Sequence, residues 1–525
     1  MKRLFELSLT ALLAVCCTGK VLDAVDAPPA SSAADTDMLI LGDQLEDPYS
    51  VKNMTQALAA VYPTKASRVP VPTTHYYVRF LPANEVEYEM LQRQGFELLD
   101  HPMDYEIVRE GDWYHDPGVP EGEITWQYSV VPKEALLPNF VYYEILDECN
   151  IPERDVATKA ADGIDWEAVE REAFRLTGNG ELLEDMATKG GEAGSKPAGR
   201  ITIVDSALGT PEGVRGVRVA CNLFVRTGYA FTDEDGRYRL STSFTGKPRY
   251  RLMFKNSAGF NIGFNLLLVP ASISTLGVGE ATGMDVQVDH NSDRKLFSRC
   301  VVNNAGYDYI HRCGVTTPSI KTPPSNLRLW LFQGLDVSCT AMLQQGALID
   351  NGPVGRLLGV YSILLKIFLP DIMLGLKGRE DYAGIYAEAT HAIAHASHFM
   401  LAGKEYWDNY VGFLVKSYLT SGFTVYGTGA EENSGYCEVA ELWANLLETV
   451  MYRERYGNKN VPQFGQGQWF RPQILRELEE QGLDVNRIFQ VLGSDVTDRE
   501  MLQKKLTSYY PEFKGAINEA FAKYH

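Results

Sequence analysis

The chain has 525 residues, of which 45% are apolar and 22% are charged. This is the composition of a folded globular protein, and the length is too great for one hydrophobic core, so about three domains are expected. The formal net charge of -19 argues against a nucleic-acid partner, which would need a basic surface.

The N-terminus has the pattern of an export signal. A short basic region precedes an apolar run at residues 7–15, and Cys16 and Cys17 follow. The run has about half the length that crosses a bilayer, which favours a signal peptide over a membrane span. We therefore predict a signal peptide at residues 1–17.

Residues 13–16, Leu-Ala-Val-Cys, resemble the lipobox of bacterial lipoproteins. The resemblance implies acylation at Cys16, with Cys17 as the alternative because Val15 stands where a small residue is usual. It also implies a lipid anchor in the bacterial outer membrane, and both faces of that membrane stay open. The Pro-, Ala-, Ser- and Asp-rich composition that follows predicts a flexible tether at residues 18–50. An ordinary cleaved signal with two chance cysteines is the other interpretation.

Residues 51–185 mix strand and helix signals and predict a small α+β domain. Alternation at residues 75–82 predicts a strand, and the amphipathic stretch at residues 84–95 predicts a short helix. A further extended segment is expected at residues 96–108. No catalytic spacing is present here, so the Asp, Glu and Tyr side chains of this domain are expected at its surface.

Residues 198–290 consist of short alternating runs separated by Gly- and Asp-rich turns. The Asp-Gly pair at residues 235–236, between two such runs, predicts a β-hairpin. The strings Gly-Val-Arg-Val at 216–219 and Thr-Asp-Glu-Asp-Gly-Arg-Tyr at 232–238 resemble the carboxypeptidase regulatory-like domain. The resemblance implies an immunoglobulin-like β-sandwich over the whole block, which would act as a spacer or as a docking module.

The remaining cysteines show no Cys-x-x-Cys pattern, which argues against a zinc knuckle. Cys300 and Cys313 are candidates for a disulfide if the compartment is oxidising. The apolar run at residues 357–369 is interrupted by Lys366 and ended by Pro370, so it predicts a buried helix rather than a second membrane span.

From about residue 300 onward the pattern is helical, with few strand signals. Residues 381–403 are rich in Ala, lack Pro and end at a Gly, which predicts a helix. His391, His395 and His398 fall on one face of that helix, within about 60° of one another. Two imidazoles four residues apart on a helix can bind one Zn²⁺.

Two strings carry a resemblance to the gluzincin zinc peptidases. Residues 391–395, His-Ala-Ile-Ala-His, resemble their HExxH helix. Residues 441–444, Glu-Leu-Trp-Ala, lie on a predicted helix at 435–457 and resemble the string that supplies the third zinc ligand. The resemblance implies zinc as the cofactor. The ligands implied are His391, His395 and Glu441, with Glu438 and His398 as alternatives.

The wider chain resembles zincin-like lipoproteins of gut Bacteroidales. The matching strings are Leu-Pro-Asp-Ile at 369–372, Tyr-Trp at 406–407, and the segments 101–106 and 113–117. This resemblance covers most of the mature chain. It implies an α-rich, zincin-like domain at residues 300–525 and a peptide or protein as ligand.

The residue after the first histidine departs from the family. Gluzincins have Glu there, the general base that takes a proton from the attacking water, and this chain has Ala392. A positioned general base typically contributes about 100- to 10,000-fold to the rate. Glu388 is one turn before His391, but the fixed direction of helical side chains makes it a weak substitute.

Three functions follow from these patterns. The first is a membrane-anchored zinc metallopeptidase homologue, catalytically impaired at Ala392, that binds zinc and a peptide or protein. The second is a non-catalytic scaffold or adhesion lipoprotein whose histidines form a structural cluster with Glu441. The third is an active metallopeptidase that uses another base.

Overall fold

The computed structural model describes twelve stretches of the chain between residues 38 and 524. They are 38–64, 69–120, 123–153, 163–183, 194–263, 271–291, 293–315, 317–335, 337–347, 370–420, 426–462 and 469–524. The predicted signal peptide, Cys16 and Cys17, and the predicted buried helix at 357–369 lie outside the described residues. Within them, no helix is both long and apolar enough to cross a membrane.

The chain folds into a mixed α/β arrangement with several antiparallel sheets and a helical C-terminal region. The N-terminal part contains β1 Ile40–Gln44, α1 Val51–Val61, β2 His75–Leu81, α2 Glu85–Arg93, β3 Tyr105–Arg109, β4 Gln127–Pro132, β5 Tyr142–Cys149 and α3 Trp166–Leu176. β2 is the central strand of the antiparallel sheet β4–β2–β5, and α1 packs against α3. The strand predicted at 75–82 and the helix predicted at 84–95 are thereby confirmed.

For this part of the chain one expectation is wrong and a second holds only in part. The tether predicted at 18–50 is folded from residue 38 onward: β1 pairs with β3, and Leu39 N donates to Trp113 O over 2.8 Å. Residues 38–41 are apolar and lead into β1. They directly follow a segment rich in Pro, Ala, Ser and Asp, so the composition of the region as a whole did not indicate a strand. The polar side chains expected at the surface include several that are buried, among them Tyr77, Asp104 and Tyr128.

The middle part of the chain is made of short strands. They are β6 Ala198–Val204, β7 Pro211–Gly213, β8 Arg218–Leu223, β9 Arg226–Phe231, β10 Arg237–Arg239, β11 Arg249–Met253, β12 Asn261–Ile262, β13 Ile273–Val278 and β14 Val286–Val288. One sheet has the order β10–β6–β14, with β7 also on β6, and the other has the order β13–β11–β8–β9. Buried side chains of both sheets, such as Ile203, Val219 and Leu252, belong to one hydrophobic core.

The hairpin predicted at residues 235–236 is wrong in its strand pairing. A turn is present, because Gly236 has a φ of 77° and its N–H donates to Asp233 O over 3.0 Å. However, β9 before the turn pairs with β8, whereas β10 after it pairs with β6. The turn therefore carries the chain from one sheet to the other. Turn chemistry determines where the chain reverses, but not which strand its continuation pairs with.

The C-terminal part is largely helical. It contains α4 Arg294–Gly314, β15 Arg328–Phe332, β16 Cys339–Thr340, β17 Ile372–Gly375, α5 Tyr382–Ala402, α6 Lys404–Thr420, α7 Ser434–Tyr456, α8 Gln473–Glu480, α9 Val485–Gln490, α10 Arg499–Tyr509 and α11 Lys514–Lys523. The helices predicted at 381–403 and 435–457 are confirmed as α5 and α7. The helical region begins with α4, a few residues before the predicted domain start at residue 300. It also contains a sheet, of order β12–β15–β17–β16, that takes β12 from the preceding part of the chain.

The disulfide considered between Cys300 and Cys313 is excluded. Both residues lie on α4, and a rise of 1.5 Å per residue separates them by about 20 Å along the helix axis. The six cysteines of the described residues are all buried and free.

Candidate metal centre

The histidine helix, α5, is the central element of the C-terminal part. It packs against α7 and α4. Asp381 caps its first turn by accepting a hydrogen bond from Gly384 N over 2.8 Å, and Gly403, with a φ of 84°, ends it. Nearly every residue between these ends is buried, which is the pattern of a helix in the middle of a core. The side chains of α5 are therefore held in fixed positions.

Two indole groups fix the helix further. Trp443 Nε1, on α7, donates to Ala394 O over 3.0 Å, and Trp407 Nε1, on α6, donates to Thr340 O over 3.1 Å. Thr340 Oγ1 in turn donates to Ala392 O over 3.1 Å. The backbone around the two predicted histidine ligands is thus bonded directly to α7 and β16, and α6 is bonded to β16.

The structure brings the three predicted ligands together. His391 Nε2 lies 3.2 Å from His395 Nε2 and 3.5 Å from Glu441 Oε2. His395 Nε2 lies 3.4 Å from Glu441 Oε1. These three residues form the one group of His, Cys, Asp or Glu side chains, within the described stretches, whose ligand atoms are close enough to hold a metal ion.

The spacing of the ligand atoms fits zinc. A tetrahedral ion with bonds of about 2.0–2.1 Å sets its ligand atoms about 3.3–3.4 Å apart. The distances from His391 Nε2 to His395 Nε2 and to Glu441 Oε2, 3.2 and 3.5 Å, lie around that value, and one ligand atom from each of the three residues lies within 4.8 Å of the other two. Two imidazoles and one carboxylate are also a ligand set that zinc favours.

Two buried atoms of the cluster lack hydrogen-bond partners among the described residues. Glu441 is fully buried, and although its Oε1 accepts from Tyr410 Oη over 3.3 Å, its Oε2 makes, among these residues, only the 3.5 Å ion pair with His391 Nε2 and no hydrogen bond. His395 Nδ1 is likewise without a partner. A buried carboxylate oxygen without a donor is costly. A cation between Oε2 and the two ring nitrogens would remove that cost for Glu441.

Glu448 completes the surroundings of His391, and the sequence reasoning missed it. Its Oε2 lies 3.0 Å from His391 Nδ1, the ring nitrogen that faces away from the cluster. Metal-bound histidines usually donate their second ring N–H to a carboxylate in this way, which fixes the tautomer. The available signal was its position seven residues after Glu441, which places both side chains on one face of α7.

Burial and charge together set the protonation of the cluster. Burial alone would lower the pKa of His391, but the neighbouring carboxylates of Glu441 and Glu448 raise that pKa to about 10. Burial would raise the pKa of Glu441, but the neighbouring His395 and His391 hold it at about 2. Burial lowers the pKa of His395. Near pH 7 His395 is therefore neutral, the form whose ring nitrogen can bind a metal, whereas His391 is protonated and would release its proton on binding one.

The other candidate residues lie outside the cluster. Glu388 forms an ion pair with Arg379 over 2.8 Å. Glu438 accepts a hydrogen bond from Arg499 Nε over 2.7 Å. His398 Nε2 lies 3.1 Å from Leu492 O, and burial lowers its pKa to about 3. The alternative ligands Glu438 and His398 and the substitute base Glu388 are thus each occupied elsewhere.

No protein-family model matches this chain, and neither a curated protein nor a solved structure matches it. The interpretation of the centre therefore depends on the geometry of its own residues. Ala392, at the position of the general base, is 2% exposed and has only a methyl side chain.

We expect Glu448→Gln to weaken zinc binding by about 10- to 100-fold, because the amide no longer increases the basicity of the His391 ring. A competition titration against a chromophoric chelator measures the affinity. Glu438→Gln is the matched control, since this residue is on the same helix and bonds to Arg499 instead of a histidine. Equal losses in the two variants, or none in Glu448→Gln, would contradict the role of Glu448.

Proposed function

We propose that this chain is an exported, lipid-anchored zinc-binding homologue of metallopeptidases that is catalytically impaired. One observation carries the proposal: His391, His395 and Glu441 each offer one ligand atom, and these atoms lie within 4.8 Å of one another, while the residue after His391 is Ala392. The zinc ligands are retained and the general base is lost. The peptide or protein ligand that the family resemblance implies would be held without efficient cleavage.

The residues of the cluster have separate roles in this proposal. His391 and His395 come from α5 and Glu441 comes from α7, so together they connect the two helices that form the centre of the C-terminal part. Glu448 orients the His391 ring. Zinc, when bound, supplies positive charge that compensates the buried carboxylates and polarises a ligand oxygen. The methyl group of Ala392 accepts no proton, so this residue cannot act as a general base.

A metal-free structural cluster, as in a scaffold lipoprotein, is the second candidate. It is favoured by two distances of hydrogen-bond length, 3.2 Å between His391 and His395 and 3.0 Å between His391 and Glu448. Those two bonds leave Glu441 Oε2 and His395 Nδ1 without hydrogen-bond partners among the described residues. Zinc satisfies the first of these atoms, so zinc binding is the better explanation of the cluster. The active-enzyme alternative loses its candidate base, because Glu388 pairs with Arg379.

The lipid anchor and the outer-membrane location belong to the same proposal. Their support is the sequence pattern that ends at Cys16, with Cys17 as the alternative acylation site. A mass shift on metabolic labelling with a fatty-acid analogue, lost in the Cys16→Ala, Cys17→Ala double variant, would identify the anchor.

Elemental analysis of the chain from residue 38 onward, purified without chelator, tests the zinc site. We expect about one zinc per chain, with none in His395→Ala. His398→Ala is the matched control, because this buried histidine is on the same helix but outside the cluster, and it should retain zinc. Circular dichroism confirms that each variant is folded. A folded wild-type chain without metal would reject the proposal and favour the scaffold.

A further inference from the structure

A cavity of about 320 Å³ lies in the N-terminal part of the chain, far in sequence from the histidine cluster. Residues of β1, β2, β3, β4 and β5 line it, together with residues of the segments that follow β1 and flank β3. Its wall carries four aspartates and four tyrosines. The aspartates are Asp47, Asp104, Asp116 and Asp147.

The cavity has an excess of negative charge. Arg79 is the cationic residue of its wall, and it is already paired with Glu144, to which its Nε donates over 2.8 Å. Asp104 is 8% exposed, and its two oxygens accept hydrogen bonds from Tyr77 Oη over 3.0 Å and Gln44 Nε2 over 2.7 Å. These are neutral donors, so the protein provides hydrogen bonds but little positive charge. A concave surface of one sign concentrates ions of the opposite sign.

One oxygen of the Asp47 carboxylate lacks a strong hydrogen-bond donor, which a bound ligand could provide. This carboxylate is 9% exposed, and its Oδ1 accepts from Tyr49 N over 2.9 Å. Its Oδ2 contacts only the Cys149 thiol among the described residues, at 3.9 Å, which is a weak sulfur interaction. Burial raises the pKa of Asp47 to about 8, and the charges of Asp104 and Asp147 add to that rise. A cation in the cavity would stabilise the ionised carboxylate.

The size of the cavity and the spacing of its carboxylates indicate an organic cation. Among the described residues, only the His391, His395 and Glu441 group is tight enough for a bare metal ion, so these aspartates are too far apart to coordinate one. A volume of about 320 Å³ holds a ligand of several carbon atoms. Ring faces attract ammonium and guanidinium groups and also contact their aliphatic stems. The tyrosine rings of the wall can provide such faces. The ring centres of Tyr77 and Tyr128, for example, lie 6.1 Å apart.

We propose that this cavity binds an alkylammonium or guanidinium group, with Asp47 at its base and the tyrosine rings around the stem. The same chemistry occurs in the side chain of a lysine or arginine within a peptide and in a free polyamine. The site is separate from the metal centre, so it does not depend on the proposed zinc function. It gives the N-terminal part of the chain a binding role.

Isothermal titration of the chain from residue 38 onward tests the cavity with defined probes. Cadaverine represents the free amine, and an N-acetylated, C-amidated tripeptide with a central lysine represents the peptide. The neutral probe is 1-pentanol, which has a similar stem without charge. We expect saturable binding of one cation per chain that weakens as salt is added, and no binding of the alcohol. Preference for the tripeptide would identify a peptide ligand, and preference for cadaverine a polyamine.

Asp47→Asn should lower the affinity for the preferred probe by roughly ten- to a hundredfold, since a charge-assisted hydrogen bond is lost. Asp147→Asn, at an exposed position on the rim, should cause a smaller loss and provides a second variant that leaves the interior unchanged. Asp495→Asn is the matched control, because this exposed carboxylate pairs with Lys505 outside the cavity. Absence of binding by both cations, or the same loss in Asp47→Asn and Asp495→Asn, would overturn the proposal.

Discussion

Zinc-dependent peptide hydrolysis should increase by about 100- to 10,000-fold in Ala392→Glu, relative to the unmodified chain. The three ligand atoms already lie within 4.8 Å of one another, and Glu448 already orients His391. In the peptidases that the helix resembles, the residue after the first histidine is the general base. The substitution therefore restores the general base that is missing beside the three metal ligands. Release of a fluorophore from quenched peptide libraries measures the gain.

The substitution has a structural cost that the experiment must separate from the chemistry. Ala392 is 2% exposed, and a larger side chain in a packed position typically costs about 1–3 kcal/mol of stability. Ala392→Gln is the matched control, because glutamine has nearly the same shape as glutamate but does not accept a proton near pH 7. The activity should be absent from the glutamine variant. It should also disappear when chelator is added or when His395→Ala is combined with Ala392→Glu.

Both outcomes of this test are informative. A gain that requires zinc and the glutamate would show that the chain descends from a peptidase whose remaining site is intact. A variant that is folded, contains zinc and cleaves nothing would show that the centre serves only to hold the helices together. In that case the zinc proposal would stand and the metallopeptidase resemblance would not extend to a substrate cleft.

The sequence predicted the parts of the centre that depend on local helix geometry. His391 and His395 are four residues apart on α5, and this spacing alone brings their rings together. The choice between Glu438 and Glu441 depended on how α7 packs against α5, which the sequence does not specify. His398 illustrates the same limit, because it shares the face of His391 but is about 10 Å further along the helix axis. One metal ion cannot reach both of these rings together with Glu441.

Glu448 could have been found by the same arithmetic. At 100° per residue it lies about 20° from Glu441 around α7, whereas Glu438 lies about 60° from Glu441. That difference agrees with the structure, in which Glu448 bonds to His391 and Glu438 bonds to Arg499. Family-like strings in the sequence contain the metal ligands themselves, and a residue that only supports a ligand does not belong to such a string.

Strand pairing in the C-terminal part was the least predictable feature of the fold. β15 and β17 are buried along most of their length, so their side chains lack the polar alternation that indicates a strand. β12 and β16 have two residues each, too few to show any period. Their place in one sheet depends on contacts between residues that are distant in sequence. Helices, whose hydrogen bonds are local, were predicted to within one residue at 381–403 and 435–457.

Arg455→Ala should lower the free energy of unfolding by about 3–5 kcal/mol, the loss expected when one partner of a buried charge network is removed. Arg455 is on α7, and its Nη2 lies 2.9 Å from Asp205 Oδ2 and 2.7 Å from Glu212 Oε1. Asp205 is fully buried. Without the guanidinium, the buried carboxylate of Asp205 loses the cation that pairs with it, close to the carboxylate of Glu212.

The same side chain links the middle part of the chain to the histidine helix. The guanidinium carbon lies 4.6 Å from the ring centre of Tyr382 and 5.1 Å from that of Tyr386, both on α5. Arg455 therefore contacts α5 and the β-strand region at once, from α7. Its loss should loosen the packing between these parts while leaving His391, His395 and Glu441 in the chain, so the zinc content should remain near that of the unmodified protein.

Urea unfolding followed by circular dichroism measures the loss, and two further variants identify its cause. Arg453→Ala removes an arginine of the same helix whose partners, Glu479 and Glu480, are partly exposed, so it should cost less than about 1 kcal/mol. Arg455→Met keeps most of the apolar stem but not the charge, so it should be nearly as unstable as Arg455→Ala. A methionine variant as stable as the unmodified chain would show that packing of the stem, rather than charge, is what Arg455 contributes.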